Sequence, residues 1–140
     1  MFLLDTNVIS EPKRSRPDAG VMGWLGDQLL SDLHLSVLTV GELRRGIVRL
    51  EPGRRRDDLD FWLADLLLQY GDRILPVDLE VTERWAALAE ANRAAGRASE
   101  MADELIAATA HVHGLTVVTR NVRHFEPSGC RVLSPWSAAA

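Results

Sequence analysis

The chain has 140 residues, of which 46% are hydrophobic and 26% charged, and this balance is typical of a folded globular domain rather than of a disordered or fibrous chain. Its net charge of −4 excludes strong bulk attraction to polyanions, so any contact with nucleic acid must come from a local basic patch or a bridging metal ion. At this length we expect one domain over residues 1–140. The single cysteine, Cys130, cannot form an internal disulfide and fits a reducing compartment, so we expect the protein in the cytoplasm. Because a charge at Asp5 interrupts the first apolar run, we expect neither a signal peptide nor a membrane span there.

In the first half of the chain, short apolar runs alternate with helical patterns. Residues 2–4 and 33–37 are apolar runs that predict buried strands. The Thr-Val-Gly-Glu segment that ends at Glu42 opens a helix after the second strand. Apolar residues at positions 59, 62, 63, 66 and 67 predict a further helix.

The second half continues the alternation. Residues 74–77 predict a strand, and Pro76 favours an edge position or a strand start for it. Two helices follow, one with apolar residues at positions 81, 85, 88 and 89 that ends at Gly96, and one over residues 99–113 that ends at Gly114. Residues 116–119 and 130–133 predict the last strands. Strands that alternate with helices predict an α/β fold in which a parallel sheet is covered on both faces.

Asp5 directly follows the first predicted strand and precedes Thr6 and Asn7. In an open parallel sheet, ligands bind in the crevice outside the carboxyl ends of the strands, and Asp5 would lie at that edge. The neighbouring hydroxyl and amide groups can orient a metal-bound carboxylate or a water molecule. A cap at the start of the next helix explains the same residues equally well, so Asp5 alone does not decide between a site and a cap.

Two further carboxylates, Glu42 and Asp103, belong to helices that can face the same crevice. Glu42 lies three residues after Thr39, and this spacing also fits a capping box, in which the glutamate only closes the start of the helix. Asp103 lies one turn into the helix over residues 99–113, where the helix dipole favours a negative charge. If Asp103 packs toward the sheet, its charge needs a partner.

Three carboxylates that converge in one cleft repel one another, so they must either share protons or bind a cation. Oxygen ligands suit Mg²⁺ or Mn²⁺, and such an ion can activate water and stabilise charge on a phosphoryl group. His111 and His113 are two residues apart on a helix and point to different sides, so they cannot chelate one metal together. His124 is the only histidine near the expected cleft. We therefore predict a divalent-metal site at these three carboxylates.

Four sequence blocks resemble the PIN-domain toxins of the VapC and FitB type in their order and spacing. They are LLDTNVISE (3–11), SVLTVGEL (36–43), ADELIAATA (102–110) and VTRNVRHF (118–125). With the closing Pro135-Trp136, the resemblance covers nearly the whole chain. It implies a PIN-like three-layer α/β/α fold around a five-stranded parallel sheet. It also implies that a metal-activated water cleaves RNA endonucleolytically, with Mg²⁺ or Mn²⁺ as the cofactor.

The resemblance also implies roles for particular residues and for partners. Asp5, Glu42 and Asp103 match the acidic metal-binding residues of the family, and Thr6 and Thr119 match hydroxyls that orient the substrate. The implied partners are an RNA substrate and a cognate antitoxin of the VapB or FitA type that blocks the site. A homodimer, alone or within a larger toxin–antitoxin assembly, is the implied working unit.

The chain departs from the family pattern at the fourth acidic position. Many relatives have Asp in the block after Thr119-Arg120, whereas Asn121 and His124 occupy the two candidate places here. Asn121 keeps an amide oxygen that can orient water or a weakly bound second metal, and we count it among the candidate catalytic residues. The departure leaves open whether the chemistry uses one metal or two.

Two other functions are compatible with these residues. The first is a metal-dependent phosphatase in which Asp5 is a covalent nucleophile; such enzymes expect a second Asp two residues later, where this chain has Asn7. The second is a PIN relative that binds nucleic acid without cleaving it, although such a protein would not need the carboxylates retained here. Magnesium-dependent cleavage of single-stranded RNA, compared with a nucleotide phosphatase assay, distinguishes the three.

Overall fold

The computed structural model describes residues 1–137, so the three alanines that close the predicted domain, residues 138–140, lie outside the described part. Five strands form one sheet in which every neighbouring pair is parallel, in the order β3-β2-β1-β4-β5. The strands are β1 (Phe2–Leu4), β2 (Leu33–Ser36), β3 (Ile74–Leu75), β4 (Thr116–Val118) and β5 (Val132–Leu133). The predicted α/β fold with a five-stranded parallel sheet is therefore confirmed.

Helices connect the strands and cover both faces of the sheet. They are α1 (Thr6–Ser10), α2 (Ala19–Asp27), α3 (Val37–Val48), α4 (Arg54–Tyr70), α5 (Leu79–Ala94), α6 (Met101–His113) and α7 (Val122–Phe125). Short 3₁₀ turns occur at Glu11–Lys13, Leu30–Asp32, Gly71–Arg73 and Glu126–Ser128. None of the helices in the described part of the chain combines the length and the apolarity that a bilayer crossing requires.

Successive strand residues supply two separate apolar cores, because side chains alternate between the faces of a strand. Leu4 and Val118 are fully buried in a cluster with residues of α1 to α4. Leu3 and Val117 are fully buried on the opposite face, in a cluster with residues of α6. This arrangement is the three-layer α/β/α architecture implied by the family resemblance.

The predicted elements agree with the structure apart from their ends and two helices. The predicted strand at 74–77 is an edge strand that stops before Pro76, as that proline suggested. The helix predicted over 99–113 begins at Met101 and ends at His113, and the Gly114 that follows as C-cap has a left-handed φ of +65°. Helices α2 and α7 were not predicted from the sequence.

The strand order places a switch point between β1 and β4. From β1 the chain builds the sheet outward through β2 to β3, whereas β4 adds on the other side of β1 and continues to β5. The backbone N–H of Asp5 donates to the carbonyl of Val118, so the ends of β1 and β4 meet directly. Ligands of open parallel sheets bind at such a point, outside the carboxyl ends of the strands.

Candidate active site at the carboxyl edge of the sheet

Asp5 lies at this switch point, where it both caps a helix and lines a cleft. It is the N-cap of α1, since its Oδ1 accepts a 2.8 Å hydrogen bond from the backbone N–H of Thr6. Its Oδ2 accepts a 2.8 Å bond from the hydroxyl of Thr119 and a longer one, 3.5 Å, from the amide of Asn7. The carboxylate is therefore fixed in orientation while it lines the adjacent cleft.

Glu42 faces the same cleft from the second turn of α3. The capping box considered for Thr39 and Glu42 is wrong, because α3 begins at Val37 and Ser36 is its N-cap, with a hydroxyl that accepts from the N–H of Leu38. Glu42 instead accepts a 2.8 Å hydrogen bond at Oε2 from the hydroxyl of Thr6. Thr6 thus links two of the predicted acidic residues, through its backbone to Asp5 and through its side chain to Glu42.

Asp103 projects from the first turn of α6 and is half-buried. Burial and the nearby negative charge of Asp5 raise the pKa of Asp103, and the contact with His124 opposes this shift. The Nδ1 atom of His124 lies 3.2 Å from Oδ2 of Asp103. The imidazole of His124 is thus a hydrogen-bond partner for the half-buried carboxylate of Asp103. The negative charge of Asp5 is also near enough to disfavour ionisation of Asp103.

Thr119 and Asn121 follow β4 and complete the site. The Thr119 side chain is fully buried; its hydroxyl donates to Asp5 and accepts a 3.0 Å hydrogen bond from the N–H of Asn121. The amide side chain of Asn121 is exposed and lines the cleft. Thr119 therefore lies behind Asp5, on the side away from the cleft, whereas Asn121 is open to the solvent in the cleft.

All the predicted site residues except the buried Thr119 line one cleft of about 700 Å³. Within residues 1–137, no group of three or more His, Cys, Asp or Glu side chains is already drawn together as a metal cage. A bound Mg²⁺ does not require such a cage, because it usually keeps several waters and takes only one or two carboxylates. The all-oxygen donor set and the repulsion between Asp5 and Asp103 therefore fit a hydrated divalent ion.

Comparison with known proteins identifies the family. Residues 2–127 match the PIN domain family. The chain belongs to the PIN-domain family. Nearly its whole length also matches curated relatives. It is 47% identical to the plasmid stability protein StbB of Pseudomonas syringae pv. tomato, in an alignment that covers 99% of this chain and all of that protein.

Two further relatives have names that describe activity. This PIN domain is 39% identical to the VapC ribonuclease Y4jK of Sinorhizobium fredii, over 99% of this chain and 100% of that one. It is 41% identical to the toxin FitB of Neisseria gonorrhoeae, over 97% and 99% of the two chains. Among solved structures, FitAB bound to a DNA fragment contains a chain that matches this PIN domain with a TM-score of 0.94 and 38% identity, over 100% of this chain and 99% of that one.

Arg45 and Arg49 are residues of the cleft that sequence reasoning missed. They follow Glu42 by three and seven positions on α3, so all three lie on one face of the helix. Both side chains are exposed, and neither has an ion-pair partner among residues 1–137. Helical spacing from Glu42 could have revealed them, but only once Glu42 was known to point into the cleft.

Proposed function

We propose that this PIN domain is the toxin of a type II toxin–antitoxin system and acts as a Mg²⁺- or Mn²⁺-dependent endoribonuclease. The observation that carries the proposal is the convergence of Asp5, Glu42 and Asp103 in one cleft at the switch point of the sheet. Full-length similarity to a VapC ribonuclease supports RNA as the substrate, and similarity to the toxin FitB supports the role as a toxin.

Asp5, Glu42 and Asp103 would hold the metal ion. When bound, the ion would lower the pKa of a water molecule, so that hydroxide is available as the nucleophile near neutral pH, and it would neutralise charge on the phosphodiester. Thr119 and Thr6 keep the Asp5 and Glu42 carboxylates turned toward the cleft. Asn121 and His124 would orient the substrate or the attacking water, and the cationic Arg45 and Arg49 would contact RNA phosphates beside the cleaved bond.

The partners follow from the same assignment. A cognate antitoxin of the VapB or FitA type would cover the cleft, which agrees with the similarity to a chain of the FitAB–DNA structure. We place the active toxin in the cytoplasm, where its RNA substrates are, and expect a homodimer that can join a larger complex with the antitoxin. A covalent phosphatase mechanism is disfavoured, because Asn7 donates to Asp5 and accepts from the N–H of Arg120 instead of supplying a second acid.

The test is cleavage of a single-stranded RNA labelled at both ends, with Mg²⁺, with Mn²⁺ and with a chelator, in parallel with nucleotide phosphatase and single-stranded DNA assays. We expect internal RNA cleavage that requires the metal and that stops when the cognate antitoxin is added. Phosphate release from nucleotides without internal cleavage would instead support the phosphatase. RNA binding with no cleavage in any metal would support a non-catalytic relative.

A further inference from the structure

A second cavity, of about 370 Å³, lies directly beside the catalytic cleft. It is enclosed by the end of α5, the loop over residues 95–100, the first turns of α6 and the segment that contains α7. Glu100, Asp103 and His124 line both the cavity and the cleft. A substrate held at Asp103 can therefore extend into this cavity without leaving the protein surface.

The cavity has an apolar floor and a polar rim. Leu88, Ala107 and Pro127 contribute apolar surface, while Arg97 and Arg123 bring exposed guanidinium groups to the rim. This volume is within the range of small-molecule sites, which are mostly apolar with a few oriented polar groups.

The loop that covers the cavity is held in place by a buried asparagine. The side-chain amide of Asn92 donates to the Ser99 hydroxyl and to Glu104, at 3.1 and 3.0 Å, and its carbonyl oxygen accepts from Nε of Arg97 at 3.1 Å. Asn92 is only 8% exposed. Because these bonds connect α5, the loop and α6, the cavity is formed before any ligand arrives.

The charges decide which part of a nucleotide fits. Three carboxylates, Glu100, Asp103 and Glu104, are on the walls and would repel a phosphate group. A flat neutral heterocycle, by contrast, gains from the apolar floor and can stack on a guanidinium plane, as unstacked RNA bases commonly do. We propose that this cavity binds one unstacked nucleobase of the RNA, from a nucleotide next to the cleaved phosphodiester. The proposal rests on the ribonuclease function proposed above and assigns the base preference of the enzyme to the cavity.

The first test fills the cavity. Ala98 lies on its lining and is exposed, so Ala98→Trp should occupy the space of a base, whereas Ala94→Trp adds the same side chain at an exposed position of α5 outside the cavity. Cleavage would be measured on an RNA pool randomised around one cleavage site. We expect the wild-type protein and Ala94→Trp to share a preference at one position flanking the cut, and Ala98→Trp to weaken it by roughly 10-fold.

The second test does not depend on cleavage. The four ribonucleoside 5′-monophosphates would be titrated in turn into isotope-labelled Asp5→Asn protein, and the amide signals of Ala98, Ser99 and Ala107 would be followed by NMR. We expect these signals to shift with at least one nucleotide, and more weakly with ribose 5-phosphate. If wild-type protein cleaves no RNA, the ribonuclease proposal fails, and this titration still decides whether the cavity binds a base.

Two results would overturn the proposal. The first is a base preference that Ala98→Trp leaves intact; if that variant also loses antitoxin binding or dimerisation, the cavity receives a protein side chain instead of a base. The second is a set of NMR shifts that is confined to the catalytic cleft or is equally strong with ribose 5-phosphate. If Ala98→Trp does not fold, the titration alone decides.

Discussion

The carboxylate of Asp5 accepts hydrogen bonds from the backbone of Thr6 and from the hydroxyl of Thr119. Asn is as good an N-cap as Asp, so Asp5→Asn should keep the start of α1 and a melting temperature close to that of the wild type. The neutral amide is a poor ligand for Mg²⁺, and we expect RNA cleavage to fall by at least about 100-fold, since even outer partners of metal ligands cost 10- to 100-fold when lost. Parallel RNA-cleavage and thermal-melting measurements check this, and a folded, fully active variant would remove the metal-ligand role.

A Glu42→Gln variant tests whether this carboxylate takes part in catalysis, because the sequence also allowed it to be only a helix cap. Ser36 caps α3, so Glu42→Gln should change stability little, and glutamine can still accept the hydroxyl of Thr6. We expect the turnover number to fall by at least about 10-fold, because charge rather than hydrogen bonding is removed. Glu83→Gln makes the same change at an exposed position of α5 and should leave turnover unchanged. Equal turnover in the two variants would mean that Glu42 does not serve the metal.

Arg45 and Arg49 offer a third test at the level of single residues, with an unusually close control. Arg44 is the chain neighbour of Arg45, but its guanidinium pairs with Asp60 of α4 at 2.6 Å and does not line the cleft. Arg45→Gln or Arg49→Gln should weaken RNA binding and reduce the salt dependence of log affinity by about 0.7 per lost phosphate contact. Arg44→Gln should leave that slope unchanged. A slope that is the same in all three variants would exclude phosphate contacts at this face of α3.

The site residues differ in how visible they were in the sequence. Asp5 could be located because an acid directly after a buried strand lies at the ligand-binding edge of a parallel sheet. For Asp103 only a conditional placement was possible from the sequence, since the side on which a helical residue packs is decided by tertiary contacts, and the family resemblance supported the placement in the cleft. For Thr39 the local pattern was misleading: its spacing from Glu42 fitted a capping box, yet the N-cap is Ser36, three residues earlier, and Thr39 is fully buried inside the helix.

At the scale of elements, helices with a strong apolar periodicity could be predicted from the sequence, whereas a helix interrupted by glycines could not. Helix α2 contains Gly20, Gly23 and Gly26, and each lowers intrinsic helix stability by about 1 kcal/mol relative to alanine, so no helical pattern stands out. Its first turn is held by the end of the chain, because Ser137 donates its backbone N–H to Asp18 and accepts from the N–H of Gly20. A contact across most of the chain length cannot be inferred from local pattern.

Because of this contact, we expect the same substitution, glycine to alanine, to have opposite effects on stability at two positions of α2. A Cβ on Gly20 would lie 2.5 Å from the carbonyl oxygen of Pro135 and 2.8 Å from the nitrogen of Ser137, whereas a Cβ on Gly23 would meet nothing within 4 Å. Gly20→Ala should therefore destabilise the protein by about 1–3 kcal/mol through overpacking. Gly23→Ala should stabilise it by about 0.5–1 kcal/mol. Urea unfolding measures both, and a shift of the same sign in the two variants would show that α2 is not packed against the chain end.

At the scale of the whole molecule, the site exists only after distant parts of the chain have met. Thr6 and Glu42 are 36 positions apart, and Asp5 and Thr119 are 114 apart. The order of the sheet brings these segments together, and that order is a property of the complete fold that no single segment of the sequence encodes. Because the carboxylates converge only in the folded protein, any ion that binds them must stabilise the folded state.

Mg²⁺ or Mn²⁺ should therefore raise the melting temperature. At an ion concentration of about ten times the dissociation constant, the gain in unfolding free energy is about 1.4 kcal/mol, or roughly 3–6 °C for a chain of this size.

Burial and the charge of Asp5 raise the pKa of Asp103, so the folded state binds the carboxyl proton of Asp103 more tightly than the unfolded state does. At pH 7.5 the ionised group therefore destabilises the metal-free fold. Asp103→Asn should therefore melt no lower than wild type without metal and lose most of the metal-induced rise. Asp57→Asn, at the corresponding first turn of α4, should retain the full rise. If neither ion shifts the wild-type melting curve at concentrations that saturate cleavage, or if the two variants respond alike, the carboxylates do not form the metal site.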